Sequence, residues 1–228
     1  MAADTANKRI LLISLGHKDF FDDMFEILLA RLSTDAKFKR AKTSNSALRF
    51  LGNDPPPRAV IVTDPALIKQ EQMLVRSHVF RYIRNGGTGI FMGHFASSVN
   101  PPDLQNFFNQ IDLPWEAGSY RRLTHRLTHT LNPQVWEPSP DAVALPAQYT
   151  QKALFIKNVS PNHALYQTTP ISPTEAQDVA PEILYDPNEA AVAVAPVGDG
   201  IAAYLGDLNG EPEMTTVTLA LCGLPAGA

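Results

Sequence analysis

The first half of the chain alternates short apolar runs with segments in which apolar residues recur every three or four positions. The runs are typical of strands covered on both faces, and the spaced segments are typical of helices with one buried face. The predicted strands are 9–15, 37–43, 59–63 and 89–92. The predicted helices are 19–32, 46–51, 75–84 and one that starts at Asn100. Successive strand–helix units of this kind predict an α/β fold with a doubly wound, flavodoxin-like, mostly parallel sheet between two helical layers.

Glycine and capping residues mark the ends of these helices. Asp19 is placed to cap the first helix, and Gly52 to stop the short one. Gly86 and Gly87 stop the next helix and allow a tight entry into the strand that follows; their spacing fits neither a dinucleotide-binding nor a P-loop motif. Asn100 followed by prolines is typical of a helix start.

The pattern changes after about residue 113. Prolines crowd 133–146 and recur in 161–187, so we expect 113–187 to be a loop-rich insertion with short strands. Leucines four apart in 120–131 fit a helix, whereas its alternating threonines fit a strand, and we favour the strand. The turn chemistry of 197–200 predicts an antiparallel hairpin near the C-terminus, and a closing helix is expected over 214–222.

Composition narrows the class of protein. The 228 residues suit a single domain, 1–228, with residues 1–8 expected to be disordered. A net charge of −4 predicts binding to neither nucleic acid nor an anionic membrane, and no apolar run could span a bilayer. The first residues lack the apolar core of a signal peptide, so we expect no secretory signal, and the single cysteine, Cys222, agrees with a reducing, cytoplasmic location. No cofactor is predicted.

Polar residues follow several of the predicted strands. Ligands bind in open α/β sheets at the carboxyl ends of strands, so these residues are the candidate site. His94 is the central candidate because imidazole can move a proton near neutral pH, and Asp207 is its predicted catalytic partner. The predicted ligand-binding residues are Gly16, His17, Asp64, Gly93, Phe95, Asn209 and Glu211.

One stretch resembles a known family. Residues 89–95 read Gly-Ile-Phe-Met-Gly-His-Phe, which is similar to the Gly-Ile-Cys-x-Gly-His-Gln elbow of the class I glutamine amidotransferase-like superfamily. Phe91 aligns with the nucleophilic cysteine, and Gly206 and Asp207 occupy the neighbourhood of that family's second histidine. The resemblance therefore implies the fold without glutaminase activity, because phenylalanine cannot form a thiolate.

Further segments resemble the trehalose-utilisation branch of that superfamily. Asn162-His163-Ala164-Leu165-Tyr166 is similar to its His-Pro-containing segment, and 198–204 is similar to a Gly-x-Gly-Arg-x-x-Tyr strand entry. The glycine pair before the strand and His94 at the elbow also agree with this branch. The resemblance implies a carbohydrate-like or small polyol ligand.

Several functions stay open at this point. The leading hypothesis is a protein that binds, and slowly transforms, a small polar molecule. The alternative is a non-catalytic structural or interaction module that forms a homodimer. An open crevice lined by His17, His94 and Asp207 would favour the first, and one filled by Phe91, Met92 and Phe95 the second. A metal-dependent hydrolase is a weaker alternative, and no metal ligand is assigned.

Two further features are interpreted as structural. His125 and His129 are four residues apart, but they lack the glutamate of a zinc-protease helix. We expect them to belong to a solvated basic strip with Arg121, Arg122 and Arg126. Cys222 lies among leucines of the closing helix and is expected to be a core residue.

Overall fold

The protein is described by a computed structural model over residues 8–129, 131–168 and 186–225. The expected disorder of residues 1–8 falls, apart from Lys8, outside the described residues. The strands are β1 Arg9–Ile13, β2 Lys37–Ala41, β3 Ala59–Val62, β4 Thr88–Phe91, β5 Glu116–Leu127, β6 Gln148–Lys157, β7 Ala164–Gln167, β8 Val192–Val197 and β9 Gly200–Leu205. The helices are α1 Phe20–Met24, α2 Glu26–Asp35, α3 Ser44–Leu51, α4 Met73–Arg84, α5 His94–Ser97, α6 Pro101–Asn109 and α7 Pro212–Leu221.

The strands form one sheet in the order β2-β1-β3-β4-β9-β8-β7-β5-β6. The neighbours from β2 to β9 are parallel, and those from β9 to β6 are antiparallel. The prediction of a mostly parallel sheet therefore holds for the first part only, and the sheet as a whole is mixed. The predicted hairpin near the C-terminus is confirmed as β8–β9, with Val197 paired to Gly200.

The core lies on both faces of the sheet. Alternate residues of β1 show this, because Leu11 packs into the layer that contains α3, α4 and α6, whereas Leu12 packs into the layer with α2 and α7. Strand β3 is apolar and buried throughout because both of its faces are covered, whereas the edge strand β2 carries Lys37, Lys39 and Arg40. The predicted three-layer arrangement is thus present.

The region expected to be loop-rich holds the two longest strands among the described residues, β5 and β6. The strand interpretation of 120–131 is confirmed for the residues up to Leu127. Proline density misled the prediction because the prolines crowd the connection between the strands and leave the strands themselves free of proline. β6 also bonds at its other edge, where Leu154 N donates to Gly206 O (3.0 Å) and Ile156 N to Ala190 O (3.1 Å). The β5–β6 hairpin therefore folds over the end of β9.

Helix ends follow the predictions with one exception. Asn100 Oδ1 accepts a hydrogen bond from Asp103 N (3.0 Å), as a helix cap does. Asp19 makes no capping bond, and the predicted first helix is broken at Phe25 into α1 and α2. In the described part of the chain, no helix has the length and apolar character needed to cross a membrane.

Candidate functional site

The carboxyl ends of β1, β3 and β4 lie side by side, because these strands are parallel neighbours. Each strand is followed by a turn that carries a predicted site residue: His17 after β1, Asp64 after β3 and His94 after β4. We call these three residues the elbow cluster. Burial raises the pKa of the Asp64 carboxyl, and the nearby His94 and His17 act against this rise. The structure thus brings these three predicted residues together.

Asp64 is fixed by its backbone neighbours. Its Oδ1 accepts hydrogen bonds from Gly16 N (2.9 Å) and Ala66 N (3.0 Å), and the second bond caps the turn Pro65–Ile68. A Cβ at position 16 would lie 3.0 Å from Asp64 Oδ1, so glycine allows this close approach. The side chain is only 5% exposed, and Oδ2 has no hydrogen-bond partner among the described residues.

The turn after β4 is a strained elbow. Gly93 has φ 63° and ψ −129°, a conformation that residues with a Cβ rarely adopt. A Cβ there would also meet the rings of Phe21 and Phe25 at 3.1–3.3 Å. Phe95 N donates to Thr63 O (3.0 Å), which ties the elbow to the end of β3.

The strained residue of this turn is not the one that the family resemblance aligns with the nucleophilic cysteine. The residue at the apex of the turn is Gly93, whereas Phe91 lies two residues earlier, inside β4. The Phe91 and Phe95 side chains are fully buried and pack together at 5.1 Å between ring centroids. Phe95 therefore belongs to the aromatic core instead of lining a crevice. The apex carries no nucleophilic side chain, because glycine has none.

His94 starts α5 and is covered by aromatic side chains. Its ring packs edge-on against Phe20 at 4.6 Å and Phe21 at 5.6 Å, and against Phe25 farther away. His94 is 9% exposed, while Phe20, which covers it, is 53% exposed. The crevice is thus closed over His94 by the aromatic residues around α1 and not by those of β4. The elbow cluster lines none of the four clefts found among the described residues.

Burial shifts the pKa values of His94 and Asp64 in opposite directions. It lowers the pKa of the His94 imidazole, and the nearby Asp64 charge works in the opposite direction. Burial also raises the pKa of Asp64, against the effect of the two backbone amides that bind it. His94 Nε2 has no hydrogen-bond partner among the described residues. An imidazole whose pKa is lowered by burial and a carboxyl group are thus both buried here, and each keeps one polar atom without a hydrogen-bond partner among the described residues.

His17 is held by Arg40. The Arg40 guanidinium lies 2.8 Å from His17 Nδ1 and also donates to Asp22 Oδ1 (2.6 Å) and Ser14 Oγ (3.4 Å). Arginine can only donate, so Nδ1 is the acceptor and the ring proton of His17 lies on Nε2. The cluster therefore has a defined donor at its solvent side, where the His17 side chain is 16% exposed.

The predicted residues after β9 have a different environment. Asp207 is fully buried and pairs with Ala153 beneath the β5–β6 hairpin. Its Oδ1 accepts from Asn209 N (3.1 Å) and its Oδ2 from Glu211 N (2.9 Å). Glu211 in turn accepts from Arg122 Nη2 (2.9 Å). Both Asp207 oxygens are thus used to shape the turn before α7, and the charges that act on His94 are those of Asp64, His17 and Lys18.

A second group of buried polar residues was missed by the sequence prediction. We call His125, Tyr149 and Gln151 the hairpin cluster; they share one face of β5–β6, and His125 lies opposite Tyr149. Both His125 nitrogens, both Gln151 side-chain polar atoms and the Tyr149 hydroxyl lack hydrogen-bond partners among the described residues. His125 was expected to be solvated, yet it is fully buried. The alternation of side chains along a strand could have revealed this burial. Arg122 and Arg126 are three residues and one residue from His125, so they lie on the opposite, exposed face of β5.

Metal binding gains no support in this part of the chain. Residues 8–129, 131–168 and 186–225 contain no group of three or more His, Cys, Asp or Glu side chains that could hold a metal ion. Cys222 is buried as expected, and burial raises the pKa of its thiol to about 12.

No protein-family model and no curated protein matches the chain by sequence. Among solved structures, a ThuA-like protein from Bacteroides uniformis has a TM-score of 0.57 at 12% identity, over 95% of this chain and 91% of that one. The cytoplasmic protein STM1381 from Salmonella typhimurium gives 0.50 at 12%, over 94% and 96%. The β-galactosidase from Bacillus circulans gives 0.54 at 11%, but this chain spans only 30% of it. The likeness shows that this chain shares its fold with the ThuA-like protein.

Proposed function

We propose that the protein binds a small polar molecule at the elbow cluster and has no glutaminase activity. The observation that carries the proposal is the pair of unpartnered atoms, Asp64 Oδ2 and His94 Nε2, both buried and on adjacent strand ends. More than nine in ten buried polar atoms in proteins are hydrogen-bonded, so such a pair calls for a partner. A bound molecule that carries hydroxyl groups would supply one.

The chemistry of the cluster favours hydroxylated ligands. A hydroxyl group can donate to the Asp64 carboxylate and can both donate to and accept from imidazole. His17 adds a donor at Nε2, because Arg40 occupies its Nδ1. The three groups together fit a diol, and a sugar or a polyol is the ligand class that we infer. The resemblance of 162–166 and 198–204 to the trehalose-utilisation branch supports this choice of class.

The same pair can move a proton. A neutral imidazole whose pKa is lowered by burial is a base that stays available below neutral pH, and Asp64 stabilises its protonated form. The proposal therefore extends to slow chemistry on the bound molecule, with His94 as the proton-transfer group and Asp64, in place of Asp207, as its partner. A cytoplasmic location remains part of the proposal.

Access requires a movement of α1. Phe20 covers His94, and α1 has five residues and is separated from α2 by the break at Phe25. Displacement of Phe20 would open the cluster to solvent without disturbing the strands.

The aromatic cover also favours the second candidate, a non-catalytic interaction module that acts as a homodimer, because a permanently closed cluster would bind nothing.

A thermal-shift screen of sugars and polyols tests the proposal. Asp64→Asn keeps the oxygen that accepts from Gly16 and Ala66 but removes the charge, so the fold should persist. His129→Gln is the control, because His129 is exposed. A ligand at a hundred times its dissociation constant stabilises the wild type by about 2.7 kcal/mol. We expect this gain to vanish in Asp64→Asn and to remain in His129→Gln.

Two results would contradict the proposal. One is a validated ligand that stabilises Asp64→Asn and His94→Gln as strongly as the wild type. The other is a screen without any hit in which Phe20→Ala, which uncovers His94, also fails to respond. The second result would favour the interaction module, and size-exclusion chromatography with light scattering would then show whether the protein is a homodimer.

A further inference from the structure

A second candidate site lies at the amino ends of the parallel strands, opposite the elbow cluster. Arg58 immediately precedes β3, and Gly86 and Gly87 precede β4, so their cleft is at the amino ends of these strands. The elbow cluster is at the carboxyl ends of the same strands. The cleft has a volume of about 410 Å³, which is within the range of small-molecule pockets. We call it the arginine cleft after Arg58 and Arg81, which line it.

The charges that line the arginine cleft are all of one sign. Arg58 and Arg81 carry these charges, the His78 ring and the Asn85 amide line the cleft beside them, and no acidic residue does. A concave surface with this lining attracts anions, because its low-dielectric walls concentrate the positive potential.

The two arginines also differ from others in the protein. Arg31, Arg40 and Arg122 each bind a carboxylate at 2.6–2.9 Å. Arg58 and Arg81 form no ion pair and no side-chain hydrogen bond with any of the described residues. Both guanidinium groups therefore keep their donors available for a ligand.

The walls of the cleft are fixed by packing. The Arg58 guanidinium rests on Gly223, where a Cβ would overlap it. Tyr82 donates its hydroxyl to Pro57 O (3.0 Å) and accepts from Thr88 N (3.2 Å), and its ring lies against Gly87, where a Cβ would also overlap. An anion site gains affinity when its donors are held in place before binding. Arg58 meets this condition, while the exposed Arg81 can adapt.

We propose that the arginine cleft binds a small molecule that carries a phosphate group. A guanidinium group matches phosphate oxygens with two parallel hydrogen bonds, and two arginines balance the two charges of a phosphomonoester. The Asn85 amide adds a donor. The apolar side chains of Leu51 and Pro57 line the same cleft and would contact the organic part of the ligand.

Calorimetric titration with inorganic phosphate and with phenyl phosphate, at low ionic strength, tests the proposal. We expect saturable binding of both, with phenyl phosphate the tighter, and no binding of phenol. Arg81→Gln and Arg58→Lys should each weaken binding at least about tenfold, because one loses the charge and the other the paired donors. Circular dichroism would verify that each variant is folded.

The control is Arg126→Gln, which removes an exposed arginine on β5, away from the cleft. It should bind phosphate like the wild type, and so should Asp64→Asn, whose change is at the elbow cluster. The proposal is overturned if the wild type shows no saturable binding of either probe. It is also overturned if Arg126→Gln weakens binding as much as Arg81→Gln does, since the effect would then be one of net charge alone.

Discussion

The elbow cluster and the hairpin cluster hold buried polar atoms in two opposite ways. In the elbow cluster, the polar side chains are in turns, and Asp64 Oδ1 accepts hydrogen bonds from two backbone amides. In the hairpin cluster they are inside strands, and all the side-chain nitrogens and oxygens of His125 and Gln151 are unpartnered among the described residues. Turns offer free backbone amides, whereas the amides of a strand are used by its neighbours. Two backbone amides therefore fix Asp64 in the first cluster, and no backbone bond of comparable geometry holds the His125 ring in the second.

The difference extends to how each region is held in place. The elbow depends on backbone conformation, because Gly93 has a positive φ and Gly16 allows Asp64 to approach. The hairpin depends on side chains instead. The buried Glu189 accepts from Ser119 N (2.9 Å), Ser119 Oγ (2.7 Å) and Arg121 Nη2 (3.3 Å), which anchors the irregular start of β5. Substitutions should thus destabilise the elbow through backbone strain and the hairpin through the loss of side-chain interactions.

The largest effect is expected at the elbow. Gly93→Val should lower the free energy of unfolding by about 3–4 kcal/mol, because strain at a positive φ adds to overlap with Phe21 and Phe25. Denaturant unfolding measures the change. Gly52→Ala is the control, since Gly52 has φ −83° and a Cβ there makes an ordinary contact at 3.4 Å. It should change stability by less than about 1 kcal/mol; equal effects of the two substitutions would show that the elbow is not strained.

A pH-dependent effect of similar size is expected in the hairpin. Burial lowers the pKa of His125 to about 4, below its ordinary value of 6.5. As the pH falls from 6.5 to 4, the unfolded chain takes up a proton that the folded chain refuses, so stability is lost in this window. The wild type should lose about 3 kcal/mol more than His125→Leu does.

Urea unfolding at several pH values between 4 and 7 checks this prediction. His129→Leu is the control, because His129 is exposed, and it should follow the wild type. If His125→Leu and the wild type lose stability in parallel over the whole range, then His125 is protonated in the folded protein. The hairpin cluster would then be hydrated, and the contrast with the elbow cluster would be smaller than we describe.

The smallest effect is expected from Cys222. Neither region supplies a thiolate, because Gly93 occupies the elbow apex and burial raises the pKa of the Cys222 thiol to about 12. Glutamate release from glutamine should stay at background in the wild type and in Cys222→Ala alike. Release that is lost on substitution of Cys222 would show that this side chain becomes exposed.

The sequence predicted the parallel part of the sheet better than the antiparallel part. Apolar runs such as 59–63 are typical of a strand covered on both faces, and β3 confirms this prediction. The β5–β6 hairpin was predicted in part only. Its alternation indicated a strand at 120–131, which is confirmed up to Leu127. The partner strand β6 was not predicted, because it carries polar residues such as Gln151 on a face that the fold buries.

The candidate site was also predicted in part only. His17, Asp64 and His94 were predicted to meet because parallel strands end at a common edge, and the structure brings them together. Asp207 was assigned to the same crevice by the same rule. In the structure its carboxylate shapes the turn before α7 beneath the β5–β6 hairpin. That rule says nothing about which loops or strands cover each strand end.

The sequence by itself determined which segments of the parallel part form strands and helices. It also determined the turn that needs Gly93 and the polar residues that follow β1, β3 and β4. These depend on neighbours close in the chain, so local preferences decide them. Only the tertiary structure decided that Phe20 covers His94, that β6 closes over Asp207 and that Arg58 and Arg81 line one cleft. These contacts join residues far apart in the chain, and the packing of the whole core selects them over the alternatives that the local pattern allows.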